Sequence, residues 1–313
     1  MRILFIGTSE FGIPTLQTLV ASPDFEIVGV ITQPDQPAGR GLRQQPTPVA
    51  QEALKLRLKT FKPNSINARS TIEQIRFLNP EVIVVVSYGQ ILGKEILTLP
   101  SMGCLNIHAS LLPRHRGPSP IQAAILAGDR YTGVSIIWMD EGIDTGPILL
   151  QKKALIRFSD TGKSLHDRLA KMAPELMLQA LQLVRNNTAP KIPQDDNQAT
   201  YTTLLKKSDG KIDWHQTQEQ IDLHIRAMNP WPGAFTNLPV GKEVKRLKIF
   251  QTIISHRSRG KPGEILRVDK HGILVAAGRG GLLLREVQLE GRKKMSAAEL
   301  AHGLRIQPGM LLL

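Results

Sequence analysis

The stretch Val82-Ile-Val-Val-Val86 consists of five consecutive apolar, mostly β-branched residues. A run without polar alternation is typical of a strand buried on both faces of a parallel sheet. Cys104–His108 and Val134–Met139 repeat this pattern, and Ile3–Ile6 and Phe25–Thr32 predict two earlier strands. The sequence therefore predicts an α/β fold with a Rossmann-like, doubly wound, mostly parallel sheet, and a site at the carboxyl ends of its strands.

Segments with helical spacing separate these strands. We predict helices over Pro14–Val20, Val49–Leu58, Ile72–Leu78, Ser119–Ala127 and Ser164–Val184. A short extra strand is predicted near Leu58–Phe61. The first turn, Gly7–Gly12, has neither the G-x-G-x-x-G spacing nor the Gly-Lys-Ser/Thr of a P-loop. A nucleotide cofactor is therefore not expected.

The chain has 313 residues and a mass of 34.6 kDa, which suits two domains. We expect a catalytic domain over 1–189, a polar, proline-containing linker over 190–208 and a second domain over 209–313. In the second domain, short strands with glycine at the corners predict a small, closed or partly open, OB-like β-barrel. Its predicted elements are a helix at Thr217–Met228, strands at Val244–Ile254, Gly263–Val268, Gly272–Ala277 and Leu282–Gln288, and a helix at Ser296–His302 with a Ser296–Glu299 capping box.

Positive charge is concentrated toward the C-terminus. The whole chain carries a formal charge of +13. Residues 201–313 hold 19 basic and 10 acidic residues, a net charge of +9. This surplus suggests a surface for a polyanion, nucleic acid above all, although it could simply aid solubility. Aromatic residues make up only 4%, which favours phosphate contacts over base stacking.

Other features narrow the class of protein. Cys104 is the only cysteine, so an internal disulfide and a cysteine-rich metal site are excluded. The histidines lack metal-ligand spacing, so no metal site is predicted. No apolar run is long enough to span a bilayer, and the N-terminus looks like a strand instead of a signal peptide. We expect a soluble, cytoplasmic protein without a membrane partner. No heptad pattern or large exposed apolar segment reveals the oligomeric state; we expect a monomer.

The segment Asn106-Ile-His108 lies where a predicted strand ends, and Asp144-Thr-Gly146 follows later in the chain. Strand alternation places Asn106 and His108 on the same side. A carboxylate from a second loop could orient that imidazole. Such a trio suits acyl transfer, in which an oxyanion is stabilised and an amine loses a proton. Taken singly, each piece is more often a structural pair or an ordinary turn.

Two loops follow strands at the same edge of the predicted sheet. Gln33–Pro48 is long, rich in proline and glycine, and carries Arg40 and Arg43. A loop of this length in a compact domain is usually functional or disordered. Ser87–Leu92 has a flexible Gly89 and could bind a flat heterocycle through its backbone, but an ordinary turn explains it at least as well.

Taken together, these segments resemble the folate-dependent formyltransferases. Asn106-x-His108-x-Ser110-Leu-Leu-Pro113 and Asp144 match the catalytic pattern of that superfamily. The resemblance extends from end to end and includes Gln33-Pro-Asp-x-Pro-Ala-Gly-Arg-Gly41, Ile212-Asp-Trp214, Asn229-Pro-Trp-Pro232 and the basic C-terminal barrel. It implies a two-domain enzyme that uses 10-formyltetrahydrofolate to formylate the amino group of methionine carried by initiator tRNA.

The resemblance also implies roles for individual residues. Asn106, His108 and Asp144 would be catalytic. The folate donor would contact Ser110, Leu111, Leu112 and Pro113, and its pterin ring would lie against Tyr88, Gly89, Gln90, Ile91, Leu92 and Asp140. Arg40, Arg43, Lys206 and Lys207 would contact the tRNA. Gly117-Pro-Ser-Pro120 departs from the usual small residues before the last proline and affects only the shape of that corner.

Several alternatives remain at this point. His108 could act protonated, as a donor to the formyl oxygen, or neutral, as the acceptor of the amine proton. A formyltransferase for an amino sugar or a purine-pathway amine would use the same chemistry. The purine-type enzyme would lack the basic barrel, and the sugar enzyme would lack both the charge surplus and the arginine-bearing loop. A non-catalytic RNA-binding relic would not need an intact Asn, His and Asp set.

Overall fold

The computed structural model describes residues 1–38 and 43–313. Its chain divides into two compact units. The first contains 1–120, 131–155 and 166–203, and the second contains 121–130, 156–165 and 204–313. Residues 190–203, assigned to a linker from the sequence, thus lie within the first unit in this division.

The first unit is built on a seven-stranded sheet. The strand order is β5-β2-β1-β6-β7-β8-β9, in which β8 runs antiparallel to both of its neighbours and the other pairs are parallel. The strands of this sheet are β1 (Arg2–Gly7), β2 (Glu26–Ile31), β5 (Thr60–Phe61), β6 (Val82–Val86), β7 (Cys104–His108), β8 (Tyr131–Trp138) and β9 (Ile148–Leu155); β3 (Gln36–Ala38) and β4 (Arg43–Gln45) form a separate hairpin.

The strand order places the crevice of the sheet between β1 and β6. The chain first builds outward from β1 through β2 to β5 and then returns to the other side of β1. This reversal opens a crevice outside the carboxyl ends of β1 and β6, where open α/β sheets bind their ligands. Burial of all five β6 residues confirms that this strand is covered on both faces.

Helices accompany these strands, and the predicted ones lie within a few residues of their observed bounds. They are α1 (Ile13–Ala21), α2 (Pro48–Lys55), α3 (Arg69–Leu78), α4 (Lys94–Leu97), α5 (Pro120–Leu126) and α6 (Gly162–Arg185). Residues 121–126 of α5 and 162–165 of α6 are counted with the second unit. The sequence predicted neither α4 nor β9. Beneath one face of the sheet, an apolar cluster joins residues of β1 and β6 to α3 and to Tyr88 and Leu92 of the loop after β6.

The second unit contains a six-stranded antiparallel sheet in the order β10-β11-β14-β13-β12, with β15 paired to β14. Its elements are α7 (Gln218–Ala227), β10 (Phe235–Val240), β11 (Glu243–Ser255), β12 (Ile265–Asp269), β13 (Gly272–Ala276), β14 (Gly281–Leu289), β15 (Met295–Ser296) and α8 (Ala297–Leu304). Ser296 and Glu299 form the predicted capping box at the start of α8.

The last residues of the chain join the two edges of this sheet. Leu313 exchanges two backbone hydrogen bonds of 2.9 Å with Asn237 of edge strand β10. Leu311 pairs with Glu264, directly before the opposite edge strand β12. The sheet is therefore a partly open barrel whose exposed edges are both covered by residues 311–313.

Among the residues described, no helix combines the length and the apolar character that crossing a bilayer requires.

Candidate active site

Asn106 and His108 lie at the carboxyl end of β7, one strand away from the crevice between β1 and β6. Being two residues apart in a strand, they project to the same face. His108 is buried, whereas Asn106 is partly exposed. An amide and an imidazole are thus held side by side by a rigid strand, as strand alternation predicted.

Asp144 reaches this pair from the loop between β8 and β9. Its backbone is left-handed, with φ of 54°, a conformation that aspartate tolerates better than most residues. Gly146 completes the turn, because a Cβ atom at this position would lie 1.7 Å from the carbonyl oxygen of Trp138. The Asp-Thr-Gly sequence is therefore dictated by the path of this loop.

The Asp144 carboxylate is the centre of the cluster. Its Oδ1 accepts a hydrogen bond of 3.0 Å from Asn106 Nδ2, and its Oδ2 accepts one of 2.8 Å from the backbone N–H of Gly117. Oδ2 also lies 3.4 Å from His108 Nδ1. The structure thus brings together the three residues predicted to be catalytic. Because Asn106 Nδ2 carries two hydrogens and Asp144 takes one, the other remains for a ligand oxygen.

The surroundings of His108 decide where its protons sit. Nε2 lies 2.8 Å from the backbone carbonyl of His115. A carbonyl can only accept, so Nε2 carries a hydrogen in either charge state of the ring. Nδ1 is then the atom that gains or loses a proton, and it faces the Asp144 carboxylate. Protonation of His108 therefore creates an imidazolium–carboxylate pair within a largely buried site.

The Ser110–Pro113 segment, predicted to contact the folate donor, is an internally bonded loop. Ser110 is fully buried, and its hydroxyl donates to the carbonyl of Arg114 at 2.6 Å. Ser135 Oγ donates to the Ser110 carbonyl at 2.6 Å and accepts from the backbone N–H of Leu112 at 3.2 Å. Leu112 is also buried, whereas Leu111 and Pro113 are partly exposed. The partly exposed members are the ones that can meet a ligand.

The Tyr88–Leu92 loop follows β6 and borders the crevice. The carbonyl of Tyr88 accepts hydrogen bonds from Thr8 Oγ1 at 3.0 Å and from Gln33 Nε2 at 3.2 Å. Gln90 Oε1 accepts from the backbone N–H of Ile66 at 2.8 Å, so the Gln90 side chain anchors the loop. Gly89 has a φ of 91°, which favours glycine.

The same loop presents an exposed apolar side chain, Ile91, whereas its neighbours Tyr88 and Leu92 are buried. Burial raises the pKa of the Tyr88 hydroxyl to about 12, and this hydroxyl has no hydrogen-bond partner among the described residues. Tyr88 is therefore a neutral core residue, and its contribution to the loop edge comes from its backbone.

Asp140 begins the loop that leads to Asp144. Its Oδ1 accepts from the backbone N–H of Gly142 at 3.1 Å and from Thr145 Oγ1 at 2.7 Å. Glu141 in this loop pairs with Lys94, just beyond the Tyr88–Leu92 loop, at 3.6 Å. The Asp140–Asp144 loop is thus linked to the start of α4, which follows the Tyr88–Leu92 loop, although exposed pairs of this kind contribute little stability.

Of the four residues predicted to bind tRNA, the structure describes the side chains of two. Arg40 lies outside the described residues, and Arg43 contributes its backbone to β4 while its side chain also lies outside the described part. Lys206 and Lys207 are exposed in the second unit. Within 1–38 and 43–313, no group of three or more His, Cys, Asp or Glu residues is arranged to hold a metal ion.

Sequence reasoning missed three residues around the trio. Gly117 donates its backbone N–H to Asp144; its φ is 103°, and a Cβ there would lie 2.8 Å from the carbonyl of Thr202. Arg116 is buried and donates to Gln194, which in turn binds the backbone of the Asp144 turn. The glycine in the proline-rich corner was the one available signal, and nothing in the sequence pairs Arg116 with Gln194.

Comparison with known proteins identifies the class. The family model described as "Formyl transferase" matches residues 1–181, and "Formyl transferase, C-terminal domain" matches residues 204–305. The chain therefore belongs to the formyl transferase family and is an enzyme. Methionyl-tRNA formyltransferase of Methylacidiphilum infernorum (isolate V4) is 53% identical over 313 residues, covering 100% of this chain and 98% of that protein.

Two solved structures share the fold. Methionyl-tRNA formyltransferase from Clostridium thermocellum has a TM-score of 0.58 at 21% identity and covers 82% of this chain and 95% of that one. HypX from Aquifex aeolicus, in complex with tetrahydrofolic acid, has a TM-score of 0.63 at 18% identity. That match covers 97% of this chain but 47% of HypX, so the chain spans about half of HypX.

Proposed function

We propose that this enzyme transfers the formyl group of 10-formyltetrahydrofolate to the amino group of methionine esterified to initiator tRNA, giving formylmethionyl-tRNA for translation initiation. The observation that carries the chemistry is the Asp144 carboxylate, which binds Asn106 and faces His108. The full-length similarity to methionyl-tRNA formyltransferases supports the substrate.

Asn106 stabilises negative charge on the formyl oxygen. One hydrogen of Nδ2 is bound to Asp144 Oδ1, which fixes the plane of the amide and aims the second hydrogen away from the carboxylate. A donor fixed in this way needs no reorganisation when charge develops. Loss of one such donor typically costs about 3–4 kcal/mol of transition-state stabilisation.

His108 and Asp144 handle the proton that the attacking amine must lose. Nδ1 of His108 is the ring atom with a variable proton, and the adjacent carboxylate stabilises the charged ring. Asp144 has its two oxygens held by Asn106 and the Gly117 N–H, so it is fixed in place while the proton moves. The proton passes to Nδ1 or to Asp144, directly or through a water. It is then given to the folate nitrogen as the bond between that nitrogen and the formyl carbon breaks, so that tetrahydrofolate leaves.

The loops beside the trio fit a folate donor. Ile91 exposes 66% of its surface on the Tyr88–Leu92 loop, and Ile143 exposes 53% on the Asp140–Asp144 loop. Exposed apolar side chains beside backbone donors and acceptors suit a flat heterocycle. The Tyr88–Leu92 loop and the Asp140–Asp144 loop would hold the pterin, with Leu111 and Pro113 nearby. The donor supplies the formyl carbon.

Phosphate contacts in the second unit would hold the tRNA. The +9 charge over 201–313 supports this role, together with the exposed Lys206 and Lys207. Arg40 and Arg43 would approach the acceptor end. Because one chain supplies Asn106, His108 and Asp144, we propose that it acts as a monomer, and its substrate places it in the cytoplasm.

The test is formation of product from methionyl-tRNA and 10-formyltetrahydrofolate, followed as acid-stable formylmethionine after release from the tRNA. We expect turnover with the charged initiator tRNA and none with free methionine. The KM for tRNA should rise steeply between about 50 and 200 mM salt as phosphate contacts are screened. No product from folded protein, or product with a small amine and no salt dependence, would overturn the proposal.

A further inference from the structure

Gln194 makes a full set of hydrogen bonds behind the Asp144 turn. Its Nε2 donates to the backbone carbonyl of Asp144 at 2.7 Å and to that of Gly146 at 2.8 Å. Its Oε1 accepts from Arg116 Nε at 3.1 Å and from a terminal guanidinium nitrogen at 2.9 Å. A guanidinium only donates, so Oε1 must face Arg116 and both Nε2 hydrogens must face the turn.

Arg116 is a firm anchor for this amide. It is 1% exposed, and its remaining guanidinium contacts are Tyr201 Oη at 2.9 Å and Asp196 Oδ1 at 2.8 Å. Its backbone N–H donates to the carbonyl of Thr200 at 2.8 Å, and its carbonyl accepts from the N–H of Thr202 at 2.8 Å. The arginine is therefore fixed through both its side chain and its backbone.

The hydrogen bonds from Gln194 stabilise a turn with an uncommon backbone conformation. Asp144 holds a left-handed backbone with φ of 54°, which residues with a side chain adopt less readily than glycine does. Both bound carbonyls belong to this turn, one on each side of Thr145. Fixing the peptide planes at Asp144 and Gly146 fixes the direction in which the Asp144 side chain leaves the backbone.

We propose that Gln194, anchored by Arg116, is a positioning residue for formyl transfer, acting by holding the Asp144 carboxylate toward Asn106 and His108. The inference rests on the proposed function, because it acts through Asp144. Gln194 itself makes no bond to the carboxylate, so its contribution reaches the reaction only through the geometry of the turn. A side chain from the segment first assigned to a linker thus sets the geometry of the active site.

A double-mutant cycle tests this assignment. Gln194→Leu keeps the approximate volume and removes all four hydrogen bonds. We expect it to lower the single-turnover rate of formyl transfer about tenfold, with the Kd for 10-formyltetrahydrofolate within about twofold of the parent's. In an Asp144→Asn background the same substitution should lower the rate less than about twofold, since positioning an amide without catalytic function gains nothing.

Two further variants separate positioning from folding. Gln198→Leu is the matched control, because Gln198 is an exposed glutamine of the same segment that bonds to Asp195; its rate should equal that of the parent. Gln194→Glu keeps the acceptor for Arg116 but loses the two donors. If it folds and binds 10-formyltetrahydrofolate within about twofold of the parent, it should show the rate of the leucine variant. It replaces that variant in the cycle if leucine prevents folding.

The outcomes are distinct. A normal rate in both Gln194 variants, with Asp144→Asn strongly impaired, overturns the positioning role and leaves the proposed function intact. An equal fall in the parent and Asp144→Asn backgrounds also overturns it, because the effect is then general destabilisation. A near-normal rate in Asp144→Asn alone removes the catalytic assignment on which both proposals depend.

Discussion

The imidazole of His108 donates a hydrogen bond of 2.8 Å from Nε2 to the backbone carbonyl of His115, and both residues are buried. This bond occupies Nε2 of His108 and leaves Nδ1 facing Asp144. It also separates the roles of the two histidines. In this bond His108 takes part through its ring, whereas His115 takes part through its backbone carbonyl, which a substitution of the side chain retains.

The same substitution at these two positions tests that difference. His108→Asn removes the ring that faces Asp144, and we expect kcat to fall at least tenfold. His115→Asn retains the carbonyl, and asparagine tolerates the left-handed backbone of this residue, whose φ is 61°. Its kcat should stay within about threefold of the parent's. Steady-state kinetics of both variants check the prediction, and a larger loss at His115 would contradict it.

Asn106→Ala removes the amide hydrogen available to the formyl oxygen. We expect kcat to fall at least tenfold with a smaller change in the Kd for the folate donor, because the lost interaction strengthens only as charge develops. Stopped-flow fluorescence and single-turnover kinetics separate the two quantities. An unchanged kcat would show that this amide does not stabilise the reaction.

His224 on α7 should contribute to the pH dependence of the stability. Burial lowers the pKa of this residue, and a hydrogen bond with the Gly210 backbone and the negative charge of Asp209 offset part of that shift. The Nε2 atom of His224 has no hydrogen-bond partner among the described residues. Below the unfolded-state pKa of about 6.5, the unfolded chain takes up a proton before the folded chain does. Stability should therefore fall as the pH decreases through this window.

Replacing His224 with glutamine should reduce that fall. The decrease in Tm between about pH 7.5 and 5.5 should be smaller in His224→Gln than in the parent, as measured by differential scanning calorimetry. Carboxylates with lowered pKa values, such as Asp213 and Asp269, act at lower pH and do not enter this window. An identical decrease in both proteins would contradict the prediction.

Alanine substitutions at two glycines should change the stability in opposite directions, one through conformational entropy and the other through backbone strain. Gly303 lies in α8, and a Cβ atom at this position would have no neighbour within 4 Å, so Gly303→Ala should stabilise the second unit by about 0.5–1 kcal/mol. Gly291 has equal space but a φ of 76°. Gly291→Ala should destabilise by about 1 kcal/mol. Urea denaturation midpoints measure both, and shifts of the same sign would contradict the prediction.

The sequence predicted the central strands well because every residue of β6, and every residue of β7 except Asn106, is buried. β6 and β7 have the predicted bounds, Val82–Val86 and Cys104–His108. β9 was missed because the run Gln151-Lys-Lys153 interrupts its apolar residues, which an edge strand of the sheet tolerates. β10 was missed because it contains Pro239, which is tolerated in the edge strand that β10 forms.

Part of the candidate site could also be predicted from the sequence. Asn106 and His108 lie on one strand, so alternation alone places them together, and the turn chemistry of Asp144-Thr-Gly146 could be recognised locally. Gln194 and Arg116 are 78 positions apart, and their contact depends on how an irregular segment returns to the sheet. Neither hydrophobic periodicity nor turn residues record such a contact, so only the structure reveals it.

The most direct test of the account is the single-turnover rate of formyl transfer to methionyl-tRNA in Asp144→Asn, beside the control Asp24→Asn. Asp24 precedes β2, at the opposite end of the strands from the site, and pairs with Arg185. We predict a rate at least tenfold below the parent's for Asp144→Asn, with retained folate binding, and the parent's rate for Asp24→Asn. A parental rate in Asp144→Asn would contradict the central claim.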